Sequence, residues 1–96
     1  SSKCDDYQRM ESLINQQNLF KLEEHFGKEV LARLPFELIS FYESSNSWEG
    51  QIEYNLNLKT GKFSYQTIEN KQHQLEISVE SLQRIESEIL MMLENM

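Results

Sequence analysis

Gln51-Ile52-Glu53-Tyr54-Asn55-Leu56-Asn57-Leu58-Lys59-Thr60-Gly61-Lys62-Phe63-Ser64-Tyr65-Gln66 is the stretch that decides the fold class. Ile52, Tyr54, Leu56 and Leu58 alternate with Gln51, Glu53, Asn55 and Asn57, a strict period of two that places apolar side chains on one face of a strand. Lys59-Thr60-Gly61 is a short, Gly-containing hairpin connection. Phe63 and Tyr65 then resume the alternation, and Thr67 and Ile68 extend the second strand. An isolated hairpin is marginal in water, so this one must lie on helices or gain further strands.

Outward from the hairpin the period changes. Downstream, Glu69 to Gln74 is polar and reads as loop, and Leu75 with Ile77 forms either a short third strand or the lead into a helix. Ser78 is placed as an N-cap, after which Leu82, Ile85, Ile89, Met92 or Leu93, and Met96 recur at helical spacing without Gly or Pro. Upstream, Ser44-Ser45-Asn46-Ser47 is a stop, and Pro35 suits the first turn of a helix running to about Ser44. Its stripes would be Phe36, Ile39 and Glu43 beside Leu38, Phe41 and Tyr42. Nearer the start, Asp5 or Asp6 caps a segment carrying Tyr7, Met10, Leu13 and Ile14. Gln16-Gln17-Asn18 reads as a polar break before a second stripe of Leu19, Phe20, Leu22 and Phe26, which Gly27 closes. Residues 1–96 are therefore expected to form a single α+β domain: N-terminal helices, a central antiparallel β-hairpin with a possible third strand, and a long C-terminal amphipathic helix packed on the sheet.

Sixteen acidic residues against nine basic ones leave a formal charge of −7. Nucleic-acid binding depends on Lys and Arg displacing counterions, so this balance argues against a nucleic acid or an anionic membrane as partner. It fits either a surface kept soluble by its charge or an acidic face made for a basic protein. Cys4 is the only cysteine, which suits a reducing compartment. No apolar run approaches a membrane span and no secretory signal is visible, so the cytoplasm is expected. Ser1-Ser2 without an initiator Met suggests a trimmed start, which leaves room for a removed leader.

Chemistry-bearing patterns are missing. His25 and His73 lack a second His or Cys at ligand spacing, no Ser sits in a G-x-S-x-G elbow, and the glycines stand isolated at 27, 50 and 61. A helix-turn-helix reading of the first half fails because Glu23, Glu24 and Glu29 offset Lys28 and Arg33. No enzyme activity, metal or cofactor is expected.

The charge distribution is more informative. Between Arg33 and Lys59 there is no basic residue, while Glu37, Glu43, Glu49 and Glu53 all fall there with Tyr42, Trp48 and Tyr54. Large rigid aromatics dominate binding hot spots, and carboxylates around them steer a cationic partner. Tyr42, Glu43, Trp48, Glu49, Glu53 and Tyr54 are the expected partner-binding residues. Trp48 either anchors that contact or closes one end of the core.

Two stretches resemble bacterial immunity proteins. Leu22 to Gly50, with Leu34-Pro35-Phe36-Glu37-Leu38 leading through Phe41-Tyr42 to Asn46 and Trp48, is similar to the helix-to-turn segment of the SUKH superfamily. Trp48 to Tyr65, closed by Gly61-Lys62-Phe63, is similar to the hairpin of YezG-like antitoxins. Each covers less than a third of the chain, and Asn46-Ser47 departs from the Asn-Gly of the first family. Both resemblances imply a protein that covers and neutralises a cognate toxin, commonly a nuclease. The alternatives are a phage-type acidic inhibitor of a nucleic-acid-binding machine and a structural homodimer built on the C-terminal helix. The chain is expected to be a monomer or homodimer.

Overall fold

The computed structural model describes residues 3–44, 51–66 and 72–96. Helix α1 (Lys3–Phe26) and a short α2 (Lys28–Arg33) precede strands β1 (Leu38–Ser44), β2 (Gln51–Asn57), β3 (Phe63–Gln66) and β4 (Gln72–Gln74), and α3 (Val79–Glu94) closes the order. The strands form one antiparallel sheet in the order β1-β2-β3-β4. This is an α+β architecture with the hairpin at the centre of the sheet.

The hairpin forms where the alternation places it. Asn57 organises its turn: its Oδ1 accepts from the amides of Lys59 at 2.8 Å and Thr60 at 3.0 Å, and its carbonyl accepts from Gly61 N–H at 2.9 Å. Gly61 has φ +80°, a left-handed conformation that favours glycine. Ser78 caps α3 as expected, its Oγ accepting from Ser81 N–H at 3.1 Å. Gly27, at φ +94°, ends α1, its N–H donating to Glu23 O at 2.8 Å.

Three expectations are overturned. The segment from Leu38 to Ser44 is a strand, not the helix read from Pro35. Ile39 and Phe41 are buried while Leu38, Ser40 and Tyr42 are exposed, which is strand periodicity. Leu38 and Tyr42 conceal it in the sequence, because apolar residues stand on both faces. Pairing with β2 supplies the further strand that the hairpin needs, and aromatic and β-branched residues suit a pleated surface. Nor is Gln16-Gln17-Asn18 a break: α1 runs unbroken through it. The strand after the hairpin likewise sits earlier than expected, at Gln72–Gln74, with only Leu75 N–H continuing the ladder to Phe63 O at 2.8 Å. The extension at Thr67 and Ile68 lies outside the described residues.

The core is a cluster of Leu22, Ile39, Phe41, Leu56, Leu58, Phe63, Ile77, Ile85 and Ile89. It lies between the face of the sheet bearing Ile39, Phe41, Leu56 and Phe63 and the buried stripe of α3, with Leu82 and Met92 packed at its margin. α1 crosses the hairpin end of the sheet. Its Asn18 is fully buried there: Nδ2 donates to Gly61 O at 3.1 Å and Leu75 O at 2.8 Å, while Oδ1 accepts from Ile77 N–H at 2.8 Å. Lys21 Nζ donates to Ile77 O at 2.9 Å, and His25 meets Glu86 of α3 at 3.3 Å. No helix among the described residues is long and apolar enough to cross a membrane.

Candidate partner-binding surface

Strand alternation sorts the expected binding residues onto two faces. In the β1–β2 register Tyr42 stands opposite Glu53, Phe41 opposite Tyr54, and Glu43 opposite Ile52. Tyr42 and Glu53 therefore share the face turned away from the core, whereas Glu43 and Tyr54 share the core-facing side near its open end. Trp48 and Glu49 lie outside the described residues. One continuous face does not hold all the glutamates; Glu43 and Glu53 flank the same end of the β1–β2 pair from opposite sides.

The outer face is polar. Ser40, Asn55, Ser64 and Gln74 form one row across the four strands, and Tyr42, Glu53, Gln66 and Gln72 form the next. Ser40 Oγ donates to Asn55 Oδ1 at 2.7 Å, and Asn57 Nδ2 donates to Glu37 at 3.3 Å. Against this amide and hydroxyl surface Tyr42 is 55% exposed. A phenol ring held out on a rigid strand brings contact area at little entropic cost.

The inner face carries an aromatic row with one ring per strand: Phe41, Tyr54, Tyr65 and His73. Ring centroids are 5.2 Å apart for Phe41–Tyr54, 6.0 Å for Tyr54–Tyr65 and 4.7 Å for Tyr65–His73. Arg84 of α3 covers the outer end, its guanidinium 5.3 Å from the Phe41 centroid. That cation is already engaged, by Glu88 at 3.1 Å and by the Tyr42 carbonyl at 3.4 Å, although its buried Nε has no hydrogen-bond partner among the described residues.

Between this row and the start of α3 lies a cleft of about 210 Å³ lined by Phe41, Glu43, Tyr54, Phe63, Ser78, Glu80, Ser81 and Arg84. Burial, then the charges of Glu43 and Tyr65, push the Tyr54 phenol above its usual pKa of 10.0. Glu43 and Glu80 make no ion pair with a basic residue among the described ones. The cleft can therefore receive a single cationic side chain, with ring faces below it and carboxylates beside it. Glu80 and Arg84 went unnoticed in the sequence because they lie in the helix that reads as a core element. A signal was present only in their position, since Ser78 as N-cap places Glu80 in the first turn of α3. No group of three or more His, Cys, Asp or Glu that could hold a metal ion occurs among the described residues.

In comparisons with known proteins the chain matches no family model, no curated protein and no solved structure at a significant level.

Proposed function

We propose that this protein is an immunity protein or antitoxin that acts in the cytoplasm by binding a cognate basic toxin, by preference a nuclease, and occluding its substrate surface. The cleft beside Glu43 and Tyr54 supports the reading most directly, because it joins two carboxylates that make no ion pair among the described residues to a wall of aromatic rings in a space for one side chain. A lysine or arginine of the toxin entering there meets π faces and two anions. Tyr42 and Glu53 extend the contact around the other side of the β1–β2 pair.

The mechanism is steric and electrostatic. Carboxylates of this chain engage the Lys and Arg that otherwise grip substrate phosphates, so the toxin loses both access and charge. The net charge of −7 steers the encounter at low ionic strength. No bond is made or broken, and no cofactor takes part.

Co-expression provides the test. Candidate basic toxins from the same host, a gene adjacent to this one first among them, should arrest growth alone and be tolerated with this protein. Glu43→Lys/Glu80→Lys should abolish protection while leaving the circular dichroism spectrum unchanged. Protection that persists in the folded double variant would remove the cleft from the mechanism. A host in which no basic protein is bound would remove the proposal.

A further inference from the structure

Helix α1 leaves apolar side chains exposed on the side turned away from the core. The side toward the sheet is mixed: Leu22 enters the core and Phe26 packs against it, but Asn18 makes three hydrogen bonds into the hairpin and the lead to α3, while Asn15 and the Glu11 carbonyl accept from Gln74 Nε2 at 2.8 and 3.1 Å. The opposite side is open, and among Arg9, Gln16, Gln17 and Glu24 it carries three exposed apolar side chains, Met10 at 63%, Leu13 at 58% and Phe20 at 66%. Met10 and Leu13 belong to the first apolar stripe of the sequence pattern and Phe20 to the second; the structure turns all three outward. Nothing among the described residues covers them.

We infer that this face binds a second copy of the chain, α1 against α1, antiparallel about a twofold axis passing between Gln16 and Gln17. The face is self-complementary about that point. With successive residues turned by about 100°, Leu13, Phe20, Arg9, Glu24, Gln16 and Gln17 share one side of the helix. A twofold axis there sets Leu13 opposite Phe20 of the second copy, Gln16 opposite Gln17, and Arg9 opposite Glu24, each twice. A shallow groove on α1 is lined by Leu13, Gln16, Gln17, Phe20 and Lys21, and its first four residues are the set that the axis exchanges. The same groove therefore supplies both knob and hole. Arg9 and Glu24 are both exposed and make no ion pair with described residues, so each is free to meet the other across the axis. The 24-residue helix is about 36 Å long at 1.5 Å per residue, room for an interface at the lower end of the specific range. The surface proposed for a basic toxin uses the cleft at the start of α3 and the open end of β1–β2, so a dimer through α1 would carry two such sites.

Sedimentation velocity of the full chain across the micromolar range tests the inference. The wild type should pass from monomer to dimer with rising concentration. Phe20→Glu should weaken association by about tenfold or more, as loss of a central aromatic anchor does. Arg9→Glu should weaken it several-fold by setting two acids face to face, and Arg9→Glu/Glu24→Arg should restore it. A chain that stays monomeric at several hundred micromolar would overturn the inference. So would a dimer indifferent to Phe20→Glu, or a double charge swap no better than the single one. All three substituted positions are exposed, and circular dichroism of each variant confirms that the comparison is between folded chains.

Discussion

The side-chain amide of Asn18 donates to the main-chain carbonyl of Gly61, 43 positions later, at 3.1 Å, and it does so from a fully buried position. That bond joins the first helix to the tip of the central hairpin, and the same side chain reaches Leu75 and Ile77. Three separate parts of the chain are therefore fixed by one polar residue. Asn18→Ala should destabilise the fold by about 2–4 kcal/mol in urea unfolding, because it leaves the Gly61 and Leu75 carbonyls and the Ile77 amide without partners. Asn18→Asp should be worse at neutral pH, since a carboxylate cannot donate to the two carbonyls and would be buried charged.

Gly61 and Gly27 both have positive φ, yet they should respond differently to alanine. A Cβ on Gly61 would overlap the Asn15 carbonyl and stand 2.9 Å from Leu19 N, both main-chain atoms of α1, whereas one on Gly27 meets nothing within 4 Å. Gly27→Ala should cost about 1 kcal/mol for its left-handed backbone alone. Gly61→Ala should cost clearly more, because α1 must lift from the turn. Equal losses in thermal unfolding would show that α1 does not rest on the hairpin.

The Tyr54 phenol should ionise above pH 10. Burial is the first cause and the Glu43 carboxylate the second, so Glu43→Gln should bring the titration part of the way back, read by ultraviolet absorbance near 295 nm. A raised pKa means that the folded state holds its proton longer than the unfolded state. The contribution to stability is thus present below pH 10 and is lost as pH rises through the folded value. An unshifted phenol in the wild type would mean that the cleft is wetter than described.

Phe41 and Tyr42 are neighbours with opposite duties. Phe41 is buried under Arg84 and against Tyr54, so Phe41→Ala should cost about 3–4 kcal/mol. Tyr42 projects from the other face, and Tyr42→Ala should change stability by no more than about 0.5 kcal/mol. A large loss from Tyr42→Ala would contradict the strand register.

The hairpin, its turn, the Gly27 stop and the capped C-terminal helix were all legible in the sequence, because each is announced locally by period or by cap chemistry. β1 was not. Its Ile39 and Phe41 alternate correctly, but Leu38 and Tyr42 fill the intervening positions, and Pro35 is as compatible with the approach to a strand as with a helix start. Asn18 misled for a related reason: a buried polar residue looks like a break until its three distant partners are known. The binding residues were legible as residue types and not as a surface. Glu43 and Glu53 are ten apart in sequence, and only the register shows that they face opposite ways. Glu80 and Arg84, which complete the cleft, belong to an element whose sequence pattern speaks only of packing.

The proposed function requires a cationic protein to dock at the cleft shared by Glu43, Tyr54 and Glu80. Calorimetric titration of the purified partner into wild type and into Glu43→Lys/Glu80→Lys, at low and high salt, measures it most directly. Binding should weaken by about tenfold or more as salt shortens the screening length, and by about a hundredfold or more in the charge-reversed variant. Equal affinity for both proteins, unchanged by salt, would contradict it.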